Sequence, residues 1–141
     1  MRAIAKALSE SLWRAQGARI RAHADSSVSV LVVSGEIDAA NAEELDENVH
    51  RYLGPGRALI VDMTYVDFLG LQGLRQLLGL DEHCRGVGAE WVLVVGHAVT
   101  RLLRVGDPDH VLPTAPSVTD ALQRFENTGR RGDPLTAGWP C

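Results

Sequence analysis

The chain has 141 residues, 45% hydrophobic and 23% charged, with a formal net charge of -4, enough for one domain that needs no metal or disulfide staple. Its basic residues are scattered, which excludes the concentrated Lys/Arg surface that nucleic acid demands, and its apolar runs fall far short of the roughly 20 residues of a spanning helix. Cys84 and Cys141 make no zinc spacing and no disulfide framework, and Lys6 and Glu10 interrupt any signal-peptide core, so a cytoplasmic protein is expected.

The elements follow in chain order. Ile4, Leu8 and Leu12 share one face of a short helix or of a frayed start, and residues 1–18 read as an N-terminal extension. Arg19 to His23 and Val28 to Val33 are predicted as a hairpin turning at Asp25-Ser26-Ser27. Gly35-Glu36-Ile37-Asp38 leads into a helix over Ala40 to Leu53, with Asp38 or Asn41 placed to cap it and Glu43 and Glu44 where the helix dipole favours acids. Ala58 to Asp62 is a short β-branched run of the kind buried on both faces. The segment Val66-Asp67-Phe68-Leu69-Gly70-Leu71-Gln72-Gly73-Leu74 turns from that strand into a helix whose inner face carries Leu74, Leu77, Leu78 and Leu80. Arg85 to Gly88 is a flexible break, Glu90 to Val95 a buried strand, and Ala98 to Val105 a short helix ending near Gly106. His110 to Pro113 is predicted as an edge strand and Val118 to Phe125 as a last helix capped by Ser117, before a Gly/Pro-rich disordered tail over 126–141. Alternation of strand and helix implies parallel pairing with right-handed crossovers, an α/β fold with a mixed, mostly parallel sheet, helices packed on it and an N-terminal hairpin.

Two motifs then carry a family resemblance. Phe68, Leu69, Gly73 and Leu74 resemble the signature loop of the STAS domain, the fold of bacterial anti-sigma factor antagonists, and Gly35-Glu36-Ile37-Asp38 resembles the tetrad those antagonists carry before their first long helix. The resemblance spans residues 19–125. It departs from the family at three central places: Gly70 stands for the aspartate, Leu71 for the first hydroxyl residue, and Gln72 for the serine or threonine that is phosphorylated. What it implies is a regulatory protein that binds an anti-sigma factor with a histidine-kinase-like ATPase fold and so releases a sigma factor. The expected contact surface is Asp38, Leu69, Gly70, Leu71, Gln72, Gly73, Arg75 and Gln76. In the family a phosphate at the helix N-terminus repels the partner. Gln72 carries no hydroxyl, so no phosphoacceptor stands at that place, and the nearest hydroxyls are Thr64 and Tyr65.

Of Leu69 and Leu71, alternation sends at most one inward, and Leu71 is expected to be the exposed one. Gly70 marks either a positive φ or simply a small turn residue. Cys84 and Cys141 could form a redox pair in place of the missing phosphate switch, although cytosolic disulfides are seldom formed. His23, His50, His83, His97 and His110 are dispersed and predict no metal site. No phosphate loop, nucleophile elbow or Cys-His-Asp arrangement is visible, so neither an enzyme nor a bound cofactor is expected. Two rival readings stand beside the antagonist: a STAS scaffold subunit of a stress-sensing or lipid-transport assembly and, more weakly, a nucleotide-binding protein. Either a monomer or a dimer is compatible with the sequence.

Overall fold

Gln16 and Gly17 both take positive φ, 28° and 93°, as the tightest hairpin turns require. That turn joins β1 (Ser9–Ala15) to β2 (Ala18–Ala24) and opens a six-stranded sheet, described by a computed structural model over residues 9–25 and 27–127. The short helix expected near the start is therefore replaced from Ser9 onward by a strand, because Ser9 to Ala15 pairs residue for residue with β2 and half-buried Trp13 packs on the core. Ile4 and Leu8 lie outside the described residues, as does the tail from residue 128. The remaining strands are β3 (Val28–Ile37), β4 (Ala58–Leu69), β5 (Glu90–Val95) and β6 (Thr114–Ala115), in spatial order identical to chain order. Pairing is antiparallel from β1 to β3 and parallel from β3 to β6.

Among the described residues four helices complete the fold: α1 (Ala42–His50), α2 (Leu71–Val87), α3 (His97–Gly106) and α4 (Val118–Asn127). The pleat divides the core into two layers. Leu59, Val61 and Met63 of β4 and Trp91 and Leu93 of β5 pack with α1, α2 and α3, whereas Ala58, Ile60, Val92 and Val94 pack with Ala121 and Phe125 of α4. Burial on both faces explains why β4 and β5 read as unbroken apolar runs.

Several boundaries differ from those expected, each for a local reason. α1 begins at Ala42, and neither Asp38 nor Asn41 caps it by side chain. Fully buried Asn41 instead accepts from the Asp38 N–H through Oδ1 at 3.1 Å and donates through Nδ2 to the carbonyls of Gln16 and Glu36, both at 2.9 Å. α2 runs through the expected break at Arg85 to Gly88 and stops only at Gly88, whose φ of 73° ends the helix. The edge strand over His110 to Pro113 does not form. The buried Asp107 carboxylate takes the N–H groups of Val111 and Leu112, at 2.9 and 3.0 Å, and β6 begins only at Thr114. Ser117 does cap α4, its Oγ accepting from the Asp120 N–H at 3.1 Å.

Candidate functional site

β4 pairs with β5 only as far as Met63 opposite Val95, yet it continues alongside β3 to Ile37 opposite Leu69. Residues 64–69 are thus strand, and the turn into α2 shrinks to Gly70. Two register shifts, opposite Val32 to Ser34 and Gly35 to Glu36, each take up one extra residue of β4 along the pair. The Gly70 N–H donates to the Ile37 carbonyl at 2.8 Å, and the Gly70 carbonyl accepts the first helical bond from Leu74 at 3.1 Å. Gly70 has φ −86° and ψ 179°, ordinary extended backbone, so the positive-φ reading of this glycine is wrong. It is a small turn residue, with the Phe68 ring 3.2 Å from where a Cβ would stand.

Gly73 has a different reason to be glycine. A Cβ there would collide with Leu69 and reach the Ile37 side chain, so its absence lets α2 start directly against the ends of β3 and β4. Leu69 is 4% exposed and Gly73 is buried, and both shape the turn instead of presenting a surface. Leu71, on the other hand, is 60% exposed, as was expected of it over Leu69. Gln72 and Arg75 are exposed beside it, while Gln76, Gly70 and Asp38 are half-buried. The expected contact surface left out Tyr65 and Phe68, which are 63% and 52% exposed on the protruding part of β4. Their aromatic identity was visible; the missing information was that β5 stops short of them.

Electrostatically the start of α2 is bare. Among the described residues no side chain caps it, and its first turn holds no acid, so the leading N–H groups stand without a side-chain acceptor at the positive end of the helix dipole. The Asp38 carboxylate accepts from the Ala40 N–H at 2.9 Å. Thr64 is engaged as well, its hydroxyl and N–H both donating to Asp62 Oδ1.

Cys84 sits on the inner face of α2, 1% exposed. Burial, aided by the Asp81 carboxylate, pushes its thiol up to about 11, leaving it protonated and unreactive near neutral pH. Cys141 lies outside the described residues. Of the dispersed histidines, His50 and His83 meet edge to face with ring centroids 5.0 Å apart, joining α1 to α2. Among the described residues no group of three or more His, Cys, Asp or Glu could hold a metal ion, and no helix is long and apolar enough to cross a membrane. A cavity of about 910 Å³ opens between Gly54 to Arg57 and Val87 to Glu90, beside the amino ends of β4 and β5 and so at the pole away from Gly70.

A sheet of this order, with a glycine-bearing turn leading from its fourth strand into the longest helix, is the STAS architecture. The chain matches the STAS domain family over residues 19–121 and belongs to it. It is 36% identical over 110 residues to Osmosensory protein A of Mycobacterium tuberculosis, an alignment covering 75% of this chain and 70% of that one. It is 34% identical over 77 residues to the anti-sigma-F factor antagonist RsfB of the same organism, across 54% of this chain and 62% of that one. The fold superposes on an anti-sigma factor antagonist from Mycobacterium paratuberculosis with a TM-score of 0.64 at 28% identity, covering 85% of this chain and 95% of that one.

Proposed function

We propose that this chain is an anti-sigma factor antagonist that docks through the start of α2 and is not switched by phosphorylation there. The partner on this reading is an anti-sigma factor with a histidine-kinase-like ATPase fold, and its capture frees a sigma factor. The observation that carries the proposal is the exposed pair Leu71 and Gln72 on an uncapped, acid-free helix start. Exposed Leu71 supplies apolar area, and the open N–H groups suit acceptors on a partner. Phe68 and Tyr65 extend the apolar area along β4, and Arg75 follows Gln72 by three residues. Asp38 braces the loop behind.

With Gly70, Leu71 and Gln72 in place, no side-chain oxygen in the turn can receive a phosphoryl group. The reading is tested by mixing the purified chain with its cognate anti-sigma factor and MgATP. The expected result is a calorimetrically measurable complex with no phosphate, by mass spectrometry, on any residue from Thr64 to Leu74. Failure to bind refutes antagonism, whereas phosphate on Thr64 or Tyr65 refutes the unswitched surface.

A further inference from the structure

The two edges of the sheet are built differently. β6 is two residues long, between Pro113 and Pro116, and offers little to pair with. β1 is seven residues long, contains no proline, and pairs with β2 without a bulge, while its outer edge pairs with no other described strand. A long regular edge of this kind is a template for another strand.

The face of β1 opposite the main core adds a second observation. α4 packs over β4 and β5 on that side, and the apolar cluster beneath it contains no described residue of β1 or β2. Leu12 is 52% exposed on it, and Arg14, Arg19 and Arg21 are exposed. The register sets Arg14 directly opposite Arg19, a like-charge pair that disfavours the sheet. Among the described residues no ion pair or hydrogen bond engages the side chain of any of these three arginines.

The order Ser9-Glu10-Ser11-Leu12-Trp13-Arg14-Ala15 is charge-complementary to itself when reversed about Leu12. We propose that β1 pairs antiparallel with β1 of a second copy, centred on Leu12, to form a two-fold dimer with one continuous sheet. In that register position 10 of each chain stands opposite position 14 of the other, so each Arg14 gains a carboxylate that offsets Arg19. Leu12 meets Leu12 of the partner subunit across the axis, and the contact is the same patch on both chains, as a two-fold interface requires. A single pair of edge strands buries less area than a standard interface, so the dimer is reversible. The inference is independent of the antagonist reading, because β1 lies at the sheet edge and not at the start of α2.

Analytical ultracentrifugation of the full chain over a dilution series tests it. The mass is expected to rise with concentration from 15.3 kDa toward twice that value. Glu10→Arg and Arg14→Glu, each placing like charges opposite one another twice, should weaken the dimer about tenfold or more, and the double exchange E10R/R14E should restore it. Hydrogen exchange on the unmodified chain gives a readout free of variants: β1 amides should gain protection as concentration rises. A wild-type chain that stays at 15.3 kDa at every concentration overturns the proposal, as does β1 protection that is independent of concentration. A dimer unaffected by the single reversals, or one not restored by the exchange, overturns the pairing as well.

Discussion

Replacing Gln72 by Glu alters one charge at nearly constant size and helix propensity, and the two states of the protein should respond in opposite directions. With Gly70 as the N-cap, Gln72 is the second residue of α2, in a first turn that contains no acid. A carboxylate there meets the positive end of the helix and has Arg75 three residues on, so the free protein should gain roughly 0.3–1 kcal/mol. For a domain of this size that is a rise in melting temperature of about 1–5 °C. In the complex the same carboxylate would be enclosed against the partner among Leu71 and its apolar neighbours. An uncompensated buried charge costs about 3–5 kcal/mol, and Arg75 returns only about 0.5 kcal/mol of it. Dissociation constants should therefore increase roughly 100- to 1,000-fold. Calorimetric titration with the anti-sigma factor, next to a thermal melt of each variant, measures both quantities on the same preparations. Equal affinity of Gln72→Glu and wild type, with the expected higher melting temperature, would show that the start of α2 is not the docking surface.

Other expectations concern the fold that holds this surface. Gly96→Ala places a methyl 2.5 Å from the Thr64 carbonyl and 3.0 Å from its Cα; backbone cannot yield like a side chain, so α3 must shift off β4. Urea denaturation should show a loss of about 1–3 kcal/mol with little change in slope. Asp81→Ala strands the buried Trp91 indole N–H that donates to Asp81 Oδ1 at 3.0 Å and should cost about 1–3 kcal/mol, while Asp81→Asn, which keeps an acceptor, should recover most of it in the same assay. Because the Cys84 thiol is raised from 9.0 to about 11 in the folded protein, the unfolded chain loses that proton first. Stability should consequently fall as pH rises from about 9 to about 11, by about 1–3 kcal/mol in total, and Cys84→Ala should lack that component of the alkaline decline.

The parts legible in the sequence were those whose signals are local. β5 and the inner face of α2 follow from short-range apolar patterns, and the Asp25 turn is held as its residue types suggested, Oδ1 accepting from the N–H groups of Ser27 and Val28 at 2.8 Å. Those hydrogen bonds hold the Asp25 carboxyl below its usual range. The parts that were not legible depend on distant partners. Asn41 has the chemistry of a helix cap, yet two of its bonds go to the Gln16 and Glu36 carbonyls, the first 25 residues away. β1 fits a helical spacing as well as a strand until the Gln16-Gly17 turn lays it against β2. Residues 64–69 read as a loop because nothing local indicates that β3 continues far enough to pair with them. His50 and His83 come together only through the packing of α1 on α2.

The match and the mismatch to the antagonist signature separate by depth except at Phe68, which agrees with it and is 52% exposed. Leu69, Gly73 and Leu74, which agree with it, are buried and set how α2 leaves the sheet; a side chain on Gly73 would push against both Leu69 and Ile37. Gly70, Leu71 and Gln72, which depart from it, are half-buried or exposed, and a side chain on Gly70 would meet the Phe68 ring and the Ile37 carbonyl. Agreement at the buried positions therefore accounts for the shared architecture and carries no information about what the outer positions bind. A docking surface is decided by its exposed groups. Here those groups are uncharged at the start of α2 and offer no oxygen for phosphate. Control of binding on this reading must come from outside the turn, through the amount of the chain, its pairing at β1, or the partner's own state. The charge placed at Gln72 is for that reason a sharper test of the proposed function than any further likeness of fold.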